Sequence, residues 1–154
     1  MSVAEQANLT ARDVVDYFLA SVDEESGDNV SNLKLQKLLY YAQGFHLALY
    51  EKPLFDDAIQ AWQHGPVVPD LYHLFKRYGA GAIPPPENFD KSRYTSEVTS
   101  LLDEVFEVYG QFSALKLRSM THDEPPWSQT TLNSSIPNGL MREYFKTLVV
   151  NGTE

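Results

Sequence analysis

The sequence contains no cysteine, and this absence excludes several kinds of protein at once. Disulfide-stapled scaffolds, Cys-ligated zinc, iron–sulfur clusters and thiol nucleophiles all require that side chain. The 154 residues fall within the usual size of one domain, so we expect a single core that needs no covalent or metal staple. At 43% hydrophobic and 21% charged, the composition is typical of a soluble folded domain and not of a disordered one.

Long hydrophobic runs are absent as well. The longest strongly apolar stretch without a charged residue covers residues 38–50, which is 13 residues. A membrane-spanning helix needs roughly 20 residues. The first five residues, Met-Ser-Val-Ala-Glu, contain neither the basic nor the apolar region of a secretory signal. These absences predict a cytoplasmic protein that does not associate with a membrane.

Basic residues are scarce relative to acidic ones. The 12 Lys and Arg against 21 Asp and Glu give a net charge of −9, which is the opposite of the basic footprint on phosphate-binding proteins. We therefore expect no direct nucleic-acid binding. Residues 1–30 carry −6 and residues 80–110 carry −4, whereas residues 31–79 carry +1. The acidic surface either keeps the protein soluble or steers a basic partner, and residues 23–28 are a candidate for steering.

Catalytic motifs are missing. The four histidines form no HExxH pair, and the chain has neither a GxSxG elbow nor a glycine-rich phosphate loop after a strand. We interpret His46 as a histidine at the core edge with a hydrogen-bond partner. The run His122-Asp123-Glu124 is interpreted as a polar helix end, because adjacent residues do not converge on one point. No catalytic residue, metal or cofactor is expected, and a small His-dependent or metal-assisted hydrolase using His64, His122 and a carboxylate stays an alternative.

Helical periodicity dominates what is present. The pattern predicts a mainly α, compact single-domain bundle of five to six helices around a buried central helix, with at most a short β-ribbon. Thr10 and Asp13 resemble a capping box. A first helix is predicted from this box to about Val22, and a ribbon strand at Ile59–Trp62 precedes a rigid turn at His64–Pro69. Further helices are predicted at Asp70–Tyr78 (with Leu71, Leu74 and Phe75 facing inward), from a cap at Ser96 to Tyr109, at Ser113–Thr121 and at Pro137–Val149.

The central helix is predicted from an N-cap at Ser31 or Asn32 to about Tyr50. It is apolar on two nearly opposite sides, which indicates that it lies between other elements. Two narrow polar strips remain, formed by Gln36 with Gln43 and by Lys34 and Lys37 beside Tyr41. Gly44 inside this helix predicts close approach of another backbone.

The predicted domain covers residues 10–149, between a flexible N-terminal tail at 1–9 and a C-terminal tail at 150–154. Aromatic residues are plentiful, with two Trp, nine Tyr and eight Phe. Tyr and Trp are enriched at protein interfaces. The candidates for a binding surface are Tyr41, Tyr72 and Trp127.

Three segments together resemble a known family. They are Asn32 to Gly44 (NLKLQKLLYYAQG), Ala61 to Pro69 (AWQHGPVVP), and the pairs Thr121-His122 and Pro126-Trp127. Over roughly residues 10–148 the chain is similar to the Panacea domain of SocA-like antitoxins, which occur in bacterial and prophage toxin–antitoxin systems. The resemblance implies a non-enzymatic antitoxin that neutralises a cognate toxin by direct contact. The family-motif residues are Lys34, Gln36, Lys37, Tyr41, Gln43, His64, Gly65, Pro66, His122 and Trp127.

The resemblance also suggests how these residues divide. We expect Leu35, Gly65 and Pro66 to determine the fold, with His64 donating to a helix carbonyl. The predicted partner-binding residues are Lys34, Lys37, Tyr41, Tyr72 and Trp127. A homo-oligomer or a hetero-oligomer with the toxin, and a prophage protein that binds a host factor, are the open alternatives. We expect no appended DNA-binding module.

Overall fold

The computed structural model describes residues 9–22 and 29–152. It confirms a mainly α single domain with one short β-ribbon. The described elements are α1 (Ala11–Ala20), α2 (Asn32–Tyr50), β1 (Gln60–Trp62), β2 (Gly65–Val67), α3 (Pro69–Phe75), α4 (Ser96–Tyr109), α5 (Ala114–His122), α6 (Pro125–Ser128) and α7 (Asn138–Gly152), with 3-10 turns at Lys76–Tyr78 and Lys91–Arg93. The described helices exceed the predicted five to six because α6, a single turn, forms where Pro125 and Pro126 suggested a break.

Helix starts are set by local side-chain caps. The Thr10 hydroxyl accepts from the Asp13 N–H while the Asp13 carboxylate accepts from the Thr10 N–H, which confirms the capping box. Ser31 caps α2 and Ser113 caps α5 more simply, each through a hydroxyl that accepts from the N–H three residues later. The cap of α4 is Thr95 and not Ser96, so that prediction was wrong by one residue.

Helix α2 is the centre of the fold. Most of the apolar side chains on both of its sides are buried, with Leu49 near its end exposed, and it packs against α1, α3, α4, α5, α7 and β2. The predicted close approach at Gly44 exists, but its partner is the ring of Phe145 on α7 and not a backbone, because a Cβ at Gly44 would overlap that ring. The missing side chain therefore allows α7 to lie against the central helix.

The ribbon is antiparallel, with Gln60 opposite Val67 and Trp62 opposite Gly65. The turn contains only Gln63 and His64, so the predicted rigid turn at His64–Pro69 was wrong for Gly65–Val67, which form the second strand. Ala61 pairs on its other side with the segment before α7, through N–H to the Ser134 carbonyl at 2.9 Å. This pairing holds the ribbon against the rest of the domain.

Several predicted details differ from the structure. Leu74 is 48% exposed, and only Leu71 and Phe75 of that helix face the core. Leu9 is buried and α7 continues to Gly152, so order extends to both sides of the predicted domain limits, which stay a prediction. The acidic stretch at 23–28 lies outside the described residues. Among the helices of the described ranges, none has the length and apolarity to cross a bilayer.

Candidate partner-binding surface and the polar network beneath it

The first two motif segments meet where β2 packs on the first half of α2. The Lys37 ammonium donates to the Pro66 carbonyl at 3.0 Å, and the Gln36 amide oxygen accepts from the Val68 N–H at 2.8 Å. Gly65 has φ 110°, and a Cβ there would lie 2.6 Å from Lys37 Cε. Since only glycine fits both the backbone conformation and the space, the ribbon sits directly on the lysine stem.

The same network reaches α3. Gln36 Nε2 donates to Asn32 Oδ1 at 2.9 Å, and Asn32 Nδ2 donates to the Tyr72 carbonyl at 3.0 Å. One buried glutamine thus bridges the start of α3 at Val68 and the first turn of α2. Because the amides are buried and satisfied, breaking one bond would leave its partner unpaired in the interior.

Gln43 has the equivalent role further along α2. Its amide oxygen accepts from the Leu54 N–H at 2.7 Å, and its nitrogen donates to the Phe55 carbonyl at 2.8 Å. These bonds fasten the connection between α2 and β1. His46 lies one turn later, buried, with Nδ1 2.7 Å from the Lys52 carbonyl, which confirms the prediction of a core-edge histidine with a partner. The predicted strip of Gln36 and Gln43 therefore anchors the chain that follows α2 from inside the fold.

Lys37 and Tyr41 are fully buried, so their predicted role on the partner surface was wrong. Burial lowers the pKa of Lys37 to about 7, and the neighbouring Arg118 charge contributes to that lowering. The Nε atom of Arg118 is itself buried and has no hydrogen-bond partner among the described residues. The error arose because other elements surround most of α2, so Lys37 and Tyr41 lie inside the fold, whereas the helical pattern alone indicated a surface.

A buried carboxylate holds the C-terminal part of the chain to α2. Glu124, between α5 and α6, accepts from the hydroxyls of Tyr40 and Tyr41, each at 2.8 Å. Burial raises the pKa of Glu124 to about 7, and the hydrogen bonds from the two tyrosines oppose that rise. Tyr41 also stacks on Tyr109 of α4, with ring centroids 3.9 Å apart. The sequence interpretation missed this site, since it treated the run His122-Asp123-Glu124 as a polar helix end.

Beside this network lie two groups of aromatic rings joined by one hydrogen bond, which together we call the aromatic surface. The Trp62 ring lies 5.2 Å from the Tyr72 ring and 5.8 Å from that of His73. Trp127 Nε1 donates to the Trp62 carbonyl at 2.7 Å, and Trp127 stacks on His122 at 4.0 Å. Trp62, Tyr72, His122 and Trp127 are partly exposed and His73 is exposed. The ribbon, α3, α5 and α6 each contribute to one half-buried aromatic face.

The structure brings two of the predicted partner residues, Tyr72 and Trp127, into this face on either side of Trp62. Lys34 lies elsewhere, with its ammonium donating to the Gly110 carbonyl at the end of α4. Sequence interpretation missed Trp62 and His73. Trp62 stands inside the second motif segment, and the interface preference of tryptophan was the signal that pointed to it.

The histidines do not assemble with a carboxylate. His64 is exposed in the ribbon turn and, within the described part of the chain, makes no hydrogen bond to a helix carbonyl, so that prediction was wrong. His122 Nε2 lies 3.1 Å from the Gln63 carbonyl, and Glu124 faces the two buried tyrosines. Across residues 9–22 and 29–152, no three His, Asp or Glu side chains are grouped to hold a metal ion.

Comparison with known proteins places these motif segments in one family. The model of the "Antitoxin SocA-like, Panacea domain" family matches residues 35–128, from the first turn of α2 to the end of α6. Antitoxin SocA of Caulobacter vibrioides (strain NA1000 / CB15N) is 46% identical over 50 residues, which are 32% of this chain. The match covers 27% of that relative's length. No solved structure matches the chain.

Proposed function

The chain belongs to the family of SocA-like antitoxins with the Panacea domain, and from this premise we propose that it neutralises a cognate toxin by binding it directly. The family match supports the antitoxin role, since it spans more than half of the chain and includes the second long motif and residues 35–44 of the first. A protein that acts by binding needs a preformed surface more than a reactive group. The polar network beneath the ribbon provides the rigid support for such a surface.

The toxin-binding site that we propose is the aromatic surface. Half-buried Trp and Tyr side chains supply much contact area for little loss of conformational entropy, and such residues dominate binding energy at protein interfaces. Here the support is internal, because Asn32 holds the backbone of Tyr72 and Glu124 lies at the start of the turn that carries Trp127. The arrangement of Tyr72, Trp62 and Trp127 across one face is the observation that carries the site assignment.

Co-expression with the neighbouring gene tests the function. We expect the neighbouring product to arrest growth when expressed alone, and growth to return when this protein is expressed with it. The two proteins should also co-purify as a stoichiometric complex. A neighbouring product that is harmless alone contradicts the proposal, and protection without a complex would instead indicate that this protein acts on a host factor.

Substitution of Tyr72 tests the site. Tyr72→Ala should weaken toxin binding by about tenfold or more, as loss of an interface tyrosine commonly does. The fold should persist, because the hydrogen bond from Asn32 goes to the Tyr72 backbone. Tyr78→Ala is the matched control, since Tyr78 is also half-buried but contacts Phe75 and Arg77 instead of the ribbon. Equal affinity of both variants, measured by calorimetry, would remove the aromatic surface as the toxin site.

A further inference from the structure

A second surface lies at the other end of α2, where the chain forms an apolar groove. The groove is bounded by α2, α4 and α7 and has a volume of about 380 Å³. Its walls include Phe45 and Leu49 of α2, Val105 and Val108 of α4, and Leu148 of α7. Leu49 is 45% exposed and Val108 is 40% exposed, so apolar side chains at its rim face solvent. None of these residues belongs to the aromatic surface.

The groove continues along α4 into a second hollow. That hollow, of about 300 Å³, shares Leu49, Leu101 and Glu104 with the first and extends to Glu97. From residue 97 to residue 109 the α4 backbone rises about 18 Å, or a little over three helical turns. The surface is therefore an elongated channel, with the dimensions of a helix-binding groove and not of a closed metabolite pocket.

The lining chemistry agrees with a protein segment as the occupant. Small-molecule sites combine an apolar wall with a few convergent polar groups that fix orientation. Here the polar groups of the first hollow are limited, within the described lining, to the Glu104 carboxylate and the Tyr109 hydroxyl. A row of apolar side chains from an amphipathic helix fits such a channel without needing further polar contacts.

Charge determines which kind of helix fits. Helix α4 carries the acids Glu97, Asp103, Glu104 and Glu107 and no base. The two bases of α7 already have acidic neighbours, since Lys146 pairs with Glu51 at 2.6 Å and Arg142 with Glu143 at 3.4 Å. A second copy of this chain would bring like charges together along α4, which opposes association. A basic partner is complementary to this wall.

We propose that this channel, the acidic groove, binds one amphipathic α-helix of the partner protein. The helix would place apolar side chains at i, i+4 and i+7 against Phe45, Val105 and Leu148, and Lys or Arg beside Glu97 and Glu104. The identification of that partner as the toxin rests on the proposed function. The groove then contributes a second contact area beyond the aromatic surface.

Introducing charge at the rim tests the groove with the full chain and the neighbouring gene product. Leu49→Glu and Val108→Glu should each weaken binding by at least about tenfold, because each places a carboxylate in the apolar contact. Both sites are well exposed, so folding should be retained, as circular dichroism and thermal melts would show. Leu115→Glu on α5 is the matched control, since Leu115 is 68% exposed and lies outside the groove.

A designed peptide separates the groove from the toxin assignment. An amphipathic helical peptide of ~18 residues with a leucine face and flanking lysines should bind the wild-type chain at least about tenfold more tightly than the same leucine face flanked by glutamates. Leu49→Glu should abolish that binding. Indifference to the flanking charge, or to Leu49→Glu, overturns the proposal.

The toxin-binding and peptide-binding experiments together also distinguish a failure of the groove proposal from a failure of the proposed function. If the neighbouring product binds wild type and both rim variants equally, the groove proposal fails and direct toxin binding stands. If that product does not bind at all while the lysine peptide still does, the proposed function fails and the basic-helix chemistry of the groove stands. A concentration-dependent dimer that Leu49→Glu dissolves, seen by sedimentation equilibrium, would identify a second copy as the occupant and overturn the proposal.

Discussion

At the scale of single residues, Glu124 shows how one buried acid ties separate parts of the chain together. Its two carboxylate oxygens accept from Tyr40 and Tyr41 on α2, while its own position is at the start of α6. The residue is 8% exposed and its pKa is raised to about 7, mainly by burial. The folded protein therefore binds a proton at this site near neutral pH that the unfolded chain has already released.

This difference predicts a loss of stability as pH rises. A carboxyl with a folded pKa of about 7 against 4.5 unfolded favours folding below pH 4.5, and that contribution disappears as pH rises through 7. The shift corresponds to about 3 kcal/mol in the free energy of unfolding. Glu124→Gln keeps the shape and imitates the protonated acid, so it should lose this dependence. Urea unfolding at pH 4.5, 6 and 8 measures the difference between the two proteins.

The difference between wild type and Glu124→Gln is the useful quantity, because other groups titrate too. His46 and His122 have pKa values lowered by burial, so their contributions increase with pH in the same window. Lys37, with a pKa lowered to about 7, adds stability as pH rises from 7 toward 10.5. These contributions cancel in the comparison. Parallel pH profiles for the two proteins would contradict the assignment of the raised pKa to Glu124.

The sequence patterns identified residues that matter for the structure more reliably than they predicted where those residues lie in the fold. Tyr72 and Trp127 were selected as interface residues and do share one face, whereas Lys37 and Tyr41 were selected by the same reasoning and are buried. A lysine is rarely buried without a carboxylate partner, so composition favours a surface position. Its burial here depends on the Pro66 carbonyl, which comes from a strand 29 residues away. A contact of that kind is set by tertiary packing and leaves no local pattern.

At the scale of elements, local signals predicted helix positions well. The capping box at Thr10, the cap at Ser31 and the apolar periodicity of α4 depend on neighbours within four residues. The sequence patterns predicted the β-ribbon and α6 less well. β2 contains Gly65 and Pro66, which are poor strand formers, and it is stabilised by Lys37 of α2, while Gln36 holds Val68 directly after it. Elements that depend on distant partners were therefore the ones misassigned.

The contact between α2 and α7 gives a stability prediction, because helix propensity and side-chain packing there favour opposite changes in the free energy of unfolding. Gly44→Ala should raise helix stability by up to about 1 kcal/mol on propensity alone. Because the new Cβ would overlap the Phe145 ring, we expect instead a net loss of about 1–3 kcal/mol in the free energy of unfolding. Urea denaturation of wild type and variant measures this difference.

Gly139→Ala is the matched control, since Gly139 is also helical and a Cβ added there would meet nothing within 4 Å. This variant should be neutral or more stable. Phe145→Leu should recover part of the Gly44→Ala loss in the double variant, because the smaller side chain gives the new methyl group room. A stabilised Gly44→Ala protein would mean that α7 does not rest against Gly44.

At the scale of the whole molecule, the net charge of −9 is distributed unevenly along the chain. Helix α4 carries four carboxylates, of which those of Glu97 and Glu104 line the acidic groove, whereas the aromatic surface contains two histidines and no acid among its five defining residues. The partition by segment predicted an acidic stretch at 80–110, and the structure adds its location next to exposed Leu49 and Val108. The sequence alone did not indicate that groove, because its walls come from three distant helices.

Two variants of equal charge test whether this location matters for association with the toxin. One replaces Glu97, Asp103, Glu104 and Glu107 by their amides, and the other replaces Asp23, Glu24, Glu25 and Asp28, so each changes the net charge from −9 to −5. Asn at 103 still accepts from the Tyr17 hydroxyl. At low salt we expect the α4 variant to associate about tenfold more slowly than wild type, because Glu97 and Glu104 line the groove, and the 23–28 variant to change less. Stopped-flow association rates should converge near 1 M salt, where the Debye length is about 3 Å. Equal slowing of both variants would mean that net charge alone steers the toxin, and a larger effect at 23–28 would place the steering surface there.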